Sequence, residues 1–273
     1  MNGRSATPNK RYYCDMDGRA LENIARCSLD DFKSVRLQDR VDTKFVVPAS
    51  LLPELLESVS GEYAALEIGG DVRQPYESLY FDSPALDFWR DHARGKKPRS
   101  KVRMRRYGAN DLLFLEHKRK KELRTKKKRI GIESIVPRIS GGMAEFLSRF
   151  PLPCAPSELR PVLWTRFDRV TLRDLPGTER ATVDFGLTAE RWTAPEDGAA
   201  PRIDFSAVAI VELKQSRVRR FSPLYAALRA RSFRPSPWSK YGVGCSFAFD
   251  GLPANRFKPQ RLLLERLRGN PAA

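Results

Sequence analysis

Polar and apolar residues alternate with a period of two along much of this chain, the pattern of strands with one wet and one packed face. In Arg40-Val41-Asp42-Thr43-Lys44-Phe45 the even positions are charged and the odd ones apolar or β-branched. Lys101, Arg103 and Arg105 share a face opposite Val102 and Met104. Glu116 and Lys118 share another, and Lys127 with Arg129 repeats the pattern after a turn. Arg166 follows Trp164 by two positions, Arg180, Thr182 and Asp184 alternate with Ala181 and Val183, and Glu212 and Lys214 lie opposite a run of apolar residues.

Helical spacing separates these strands. Ser28-Leu29-Asp30-Asp31-Phe32 has an N-cap serine and acids in the first turn, which predicts a helix start. Leu51, Leu52, Leu55, Leu56 and Val59 predict an amphipathic helix within Pro48–Ser60. Shorter helices are expected over Leu86–Arg94, Met143–Phe150 and Ser222–Ser232, a strand over Tyr76–Asp82, and a basic amphipathic helix over Gln260–Arg268. The prolines at 151, 153, 156 and 161 mark a connector, and residues 193–201 a loop. Residues 1–27 have few apolar positions and no period, so they read as a flexible or loosely docked extension. Residues 28–273 read as one domain without an internal repeat, ending in the basic helix.

Charge changes the picture. Lys and Arg number 50 against 33 Asp and Glu, a formal net charge of +17, so the partner is expected to be an anion. Seventeen basic residues fall between Arg94 and Arg129, opposed by Asp111, Glu116 and Glu122, and they interleave with apolar residues as a disordered basic tail would not. No stretch reaches the roughly 18 consecutive apolar residues of a membrane span, and the N-terminus lacks an apolar secretory segment. A cytoplasmic location is therefore expected, with a membrane-protein partner left open. Cys14, Cys27, Cys154 and Cys245 have no CxxC spacing, so neither a disulfide framework nor a zinc site is indicated. A charged face on a single strand ordinarily points to bulk water. Here the faces are dominated by Lys and Arg, and closing them inward would force like charges together unless a polyanion sat inside.

The segments SLDDF…RVDTKFVV, SLYFDSPALDFWRDHARGKKPRSKVRMRRYG, FLEHKRK…RTKKKR, RPVLWTRFDRVTL, RATVDFGL, VAIVELK and WSKYGVG occur in that order. Over roughly residues 28–257 the chain thereby resembles the bacterial branch of the vacuolar transporter chaperone (VTC) domain, one of the triphosphate tunnel metalloenzymes. The resemblance implies an α+β fold: a closed antiparallel β-barrel with flanking helices, whose basic tunnel holds ATP or another triphosphate, or inorganic polyphosphate, beside a divalent metal. It also implies roles. Lys44, Arg103, Arg105, Lys118, Arg166, Arg180 and Lys240 match the catalytic tunnel cations, and Arg40, Lys127, Arg129 and Lys214 fall where further phosphate-binding groups lie. Glu212 matches the metal-binding glutamate. The first strand, Arg40-x-Asp42-x-Lys44, keeps one acid where other tunnel enzymes have two, which weighs against hydrolytic triphosphatase chemistry, and Trp164 stands where the eukaryotic branch tends to have a tyrosine.

Phosphoryl transfer needs positioning and charge neutralisation more than covalent help. Arginines offer planar forks to phosphate oxygens and lysines compact point charges. A magnesium or manganese ion would be held by Glu212, with Glu116, Asp42 and Asp184 as further candidates. A salt bridge to a neighbouring lysine is the competing role for Glu212. No Walker, Rossmann, kinase or HExxH motif is present. The first functional reading is an ATP-dependent polyphosphate polymerase. The alternatives are a non-catalytic polyphosphate or inositol-phosphate binding module and a tunnel triphosphatase. Nucleic-acid binding ranks last, because the basic residues alternate along strands and no RNP-type aromatic motif occurs.

Overall fold

The structure is a computed structural model, and it describes residues 19–34, 41–108, 111–121 and 124–269. Alternation does become strand. Eleven strands form one sheet whose main path runs β2 (Val41–Pro48), β11 (Val208–Gln215), β9 (Glu179–Arg191), β8 (Arg160–Asp174), β4 (Gln74–Asp82), β5 (Arg99–Tyr107), β6 (Leu112–Lys121) and β7 (Arg124–Gly131). Neighbours on this path are antiparallel. Short β10 (Arg202–Asp204) extends β9, while β3 (Tyr63–Leu66) pairs with β8 and with β1 (Ala25–Cys27), the last in parallel.

The sheet curls into a half-barrel, which corrects the expectation of a closed tunnel. Among the described residues β2 and β7 form no ladder with each other. Electrostatics supplies a reason. The two edges that would have to meet carry Lys44 on one side and Lys127 and Arg129 on the other, and like charges opposed across a ladder destabilise it. Lysines along a free edge also discourage pairing with another chain.

One face of the sheet is apolar where alternation demanded it. Phe45, Val47, Val170, Leu172, Ala181, Val183, Ala209, Val211 and Leu213 are buried beneath α3 (Leu52–Glu57) and α6 (Pro223–Ala230). On β5 and β6 the outward residues Val102, Met104 and Leu115 pack with Phe146 and Leu147 of α5 (Gly141–Ser148). His117 shares that outer face, 4.2 Å from the ring of Phe150, with Nε2 2.9 Å from Ser100 Oγ.

Residues 1–18 lie outside the described residues, but α1 (Arg19–Glu22) buries Leu21, and Ile24 is buried in the same cluster. The helix start at Ser28 is realised as α2 (Leu29–Ser34): Asp31 N–H donates to Ser28 Oγ at 3.2 Å, and Ser28 N–H donates back to Asp31 Oδ2 at 2.9 Å. α7 (Lys240–Ala248) packs against one end of the concave face, and α8 (Lys258–Gly269) follows it. Gly242 and Gly244 allow the close approach, since a Cβ on Gly242 would meet Phe257 at 2.7 Å and one on Gly244 would meet Leu163 at 2.6 Å. α4 (Asp87–Ala93) lies beside α7, with Trp89 Nε1 donating to Gly242 O at 3.0 Å. No helix among the described residues is long and apolar enough to cross a membrane.

Candidate functional site

Antiparallel register sets the charged residues opposite one another on the concave face. Glu212 lies between Lys44 on β2 and Thr182 on β9, and Lys214 between Asp42 and Arg180. Asp184 opposes Arg169 of β8. On the far wall Arg103 opposes Glu116, which opposes Arg129, while Lys101, Lys118 and Lys127 form a row of three. Lys240, at the start of α7, reaches in over the ring of Phe167 at 4.1 Å.

Three carboxylates organise this face, each between two cations. Glu212 contacts Lys44 and lies 3.3 Å from Lys214. Glu116 contacts Lys127, accepts from Arg103 Nη2 at 2.7 Å, and accepts from the Tyr107 hydroxyl at 2.7 Å. Asp184 accepts from Arg169 at 2.5 and 2.8 Å and from Lys240. Burial alone would push all three carboxyls up, but the paired cations outweigh it and hold each well below the usual carboxylate range. Lysines feel the opposite balance. Enclosure pushes Lys118, Lys127 and Lys240 down to about 8, with Glu212, Glu116 and Asp184 respectively opposing the shift. Lys101 falls further, through burial and then Lys118 and Arg99, and donates to Ser239 Oγ at 2.8 Å.

Aromatic rings fix the arginines. Arg105 is 4% exposed, donates through Nε to Ser78 Oγ at 2.9 Å, and lies 5.2 Å from the ring centroid of Tyr76 and 5.5 Å from that of Phe167. Arg103 donates to the Tyr80 hydroxyl at 3.0 Å. Such contacts hold a guanidinium in one orientation before a ligand arrives.

Of the residues singled out in the sequence, Arg166 and Trp164 leave this face, while Arg180, Asp42 and Arg129 keep its parity at its margins. Arg166 points the other way, bonding Glu77 at 2.8 Å and Glu190 at 3.0 Å and lying over Trp164. Strand parity explains it: Thr165, Phe167 and Arg169 share the concave face, so Arg169 stands where Arg166 was expected. Trp164 shares the outer face with Arg166, away from the concave cations. Arg180 lies toward the end covered by α2, donates to Phe32 O and lies 4.5 Å from that ring. Asp42 is exposed near the rim, and Arg129 lies 4.1 Å from the ring of Phe114. Arg40 lies outside the described residues. Arg169, Lys101, Tyr80 and Tyr107 are members that the motif matches passed over, although the alternation Lys101-x-Arg103-x-Arg105 already placed Lys101 on the face.

No group of three or more His, Cys, Asp or Glu able to hold a metal occurs among the described residues. Glu116, Glu212 and Asp184 are each engaged by their own cations, so a resident ion held by protein alone does not fit. A magnesium or manganese ion arriving with phosphate does, because such ions are commonly held by one or two carboxylates together with substrate oxygens and water.

The fold and the site define a curled antiparallel sheet with a cationic trough on its concave face. The chain belongs to the VTC domain family, whose family model matches residues 39–249. No curated protein matches the chain. Among solved structures it is similar to the adenylyl cyclase candidate HpAC1 from Hippeastrum, described as having a dominant triphosphatase activity, at 18% identity and a TM-score of 0.51 over 79% of this chain and 99% of that one. A candidate adenylate cyclase from Bacillus halodurans is similar at 13% identity and a TM-score of 0.45, over 74% of this chain and 96% of the other. At these identities the likeness concerns the fold alone.

Proposed function

We propose that the protein transfers the terminal phosphate of ATP to a growing polyphosphate chain lying in the concave trough. What carries this reading is a charge imbalance in one place. Lys44, Lys101, Arg103, Arg105, Lys118, Lys127, Arg169, Lys214 and Lys240 face three carboxylates, the buried Glu116 and Asp184 and the half-buried Glu212, and Lys101, Arg105 and Lys118 form no ion pair among the described residues. Excess positive charge so confined costs stability unless a polyanion offsets it.

In the proposed reaction a terminal oxygen of polyphosphate attacks the γ-phosphorus of ATP. The bond from that phosphorus to the β,γ-bridging oxygen breaks, ADP leaves with the electron pair, and the chain is one phosphate longer. Among the described residues Arg105 hydrogen-bonds through its Nε alone, so its two Nη groups can grip non-bridging oxygens, with Arg103 beside it. Lys44 and Lys214 can turn from Glu212 to phosphate, which frees that carboxylate for the cation that accompanies the nucleotide. Such an ion would supply Lewis-acid withdrawal of charge from the phosphates. Lys118, Lys127 and Lys240 offset the charge that builds on the leaving diphosphate.

Incubation of the pure protein with ATP and manganese tests this. Long-chain polyphosphate and stoichiometric ADP are the expected products. Orthophosphate without polymer would instead establish the triphosphatase reading, which the likeness to HpAC1 favours. Tight binding of tripolyphosphate without turnover would mark a binding module.

A further inference from the structure

The cationic trough does not stop where the carboxylates stop. Two residues beyond the Lys101–Lys118 pair, Arg99 and Lys120 oppose each other on the same face, about 7 Å further along the strands at the usual rise per residue. Like charges directly opposed weaken a ladder, and among the described residues neither has an ion-pair partner, Asp42 reaching Lys120 only at longer range. Lys97 precedes the strand. Arg256, from the turn before α8, folds over the same end: its Nη1 lies 2.6 Å from where a Cβ on Gly95 would stand, so the glycine leaves the room that the guanidinium occupies. Among the described residues none of Lys97, Arg99, Lys120 and Arg256 has a carboxylate within ion-pair distance, whereas the neighbouring Lys96 has Asp91 at 3.2 Å.

These groups sense one another. Burial and then Arg256 lower the Arg99 guanidinium, while burial, Arg99 and Lys97 lower the Lys120 ammonium, with Asp42 opposing and Lys44 adding to the fall. His92, half-buried and stacked on Phe257, is held neutral by its enclosure and by Lys101, Arg99, Arg256 and Lys120, so it adds no positive charge there. The cluster is therefore a second concentration of positive charge, continuous with the trough through Lys101 and Lys118 but built from different residues.

We infer that Lys97, Arg99, Lys120 and Arg256 form an outer subsite that binds the part of a linear inorganic polyphosphate too long for the trough. This rests on the trough being a polyphosphate site. A bare phosphate chain fits the observations better than RNA does, because the subsite has no free aromatic ring on which bases could stack: the nearby Phe257 is buried between Trp89 and His92. The outer subsite would then distinguish long chains from tripolyphosphate, which the trough alone can hold.

The full-length protein and a triple variant, Lys97→Gln, Lys120→Gln and Arg256→Gln, are titrated with tripolyphosphate, with long-chain polyphosphate and with single-stranded RNA, at several salt concentrations and with folding checked by thermal melting. The variant is expected to bind tripolyphosphate as the wild type does. Its affinity for long-chain polyphosphate should fall by about tenfold or more, with a shallower salt dependence, the mark of lost counterion-releasing contacts. Unchanged affinity for both phosphates would overturn the outer subsite and leave the trough standing. Equal losses for both would also overturn it, by merging the cluster with the trough. Failure of the wild type to bind tripolyphosphate at all would defeat the trough reading itself. Binding of RNA as tight as that of polyphosphate, lost in the variant, would replace the phosphate chain with a nucleic acid as the occupant.

Discussion

Glu212 illustrates how one carboxylate can hold two different jobs apart. Its two lysines keep it ionised, and in the proposed reaction a salt bridge and a place for an incoming cation would be successive uses of the same group. Glu212→Gln keeps the volume and removes the charge. Turnover of ATP with manganese is expected to fall by orders of magnitude, while metal-free affinity for tripolyphosphate holds or rises because the local potential becomes more positive. If the carboxylate served only as a salt-bridge partner, lost stability would account for all of the lost activity. Titration offers a second test. Glu116, Asp184 and Glu212 have folded values below their unfolded ones, so their contribution is present above about pH 4.3 and disappears as the pH falls. Lys118, Lys127 and Lys240 are displaced downward from the ordinary 10.5 to about 8. Between those values the unfolded chain binds more protons, so these lysines make the free protein more stable as pH rises through that window. Thermal melts across pH 8–10.5 should show this rise, and saturating tripolyphosphate should flatten it by restoring the protonated lysines.

Among the elements, α7 reaches the site from outside the sheet, because it carries Lys240 and packs closely through glycines. Asp82 anchors it: the buried carboxylate accepts from the backbone of Ser83 at 2.7 Å and of Phe88 and Trp89 at 2.9 Å, and from the Tyr241 hydroxyl. Gly242→Ala would drive a methyl into Phe257 and His92, at a cost of about 1–3 kcal/mol for an overpacked core. The variant should melt lower, and it should also bind tripolyphosphate more weakly, because Lys240 lies two residues away. Much of the strand framework was legible in the sequence, since a period of two survives wherever one face is packed. Arg166 shows the limit. Both faces of β8 carry arginine, so the alternation by itself cannot say which of Arg166 and Arg169 points inward, and the choice is fixed by pairing with β4 and β9. Gly186, at φ +59, lies where the β8–β9 register shifts, and past it β9 turns Leu187 rather than the even positions toward the inside. No helix was expected over Lys240–Ala248; Gly242 and Gly244 lower helix propensity there, while packing against Leu163 and Ala189 favours the helix.

At the scale of the whole molecule, positive charge gathers on one side of a sheet whose other side supplies the apolar packing. The free protein therefore stores repulsion that a ligand can release. Tripolyphosphate at a hundred times its dissociation constant should stabilise the native state by about 2.7 kcal/mol, read as a rise in melting temperature at fixed salt. Salt alone should give part of that rise by screening. Barrel closure was not legible, because it depends on whether the first and last edges meet, and no local pattern reports that.

Among the described residues β2 and β7 share no ladder, and that has a topological consequence. A tube accepts a polymer only by its tip and must be threaded; a gutter accepts it broadside, anywhere along its length. If the trough holds a phosphate chain as proposed, that chain can lift out sideways without sliding back through the whole site. Ring-shaped metaphosphates make the distinction measurable, since they have no tip to thread. They are expected to displace tripolyphosphate from this protein in a competition titration, and complete failure to compete would mean that the seam shuts when phosphate binds.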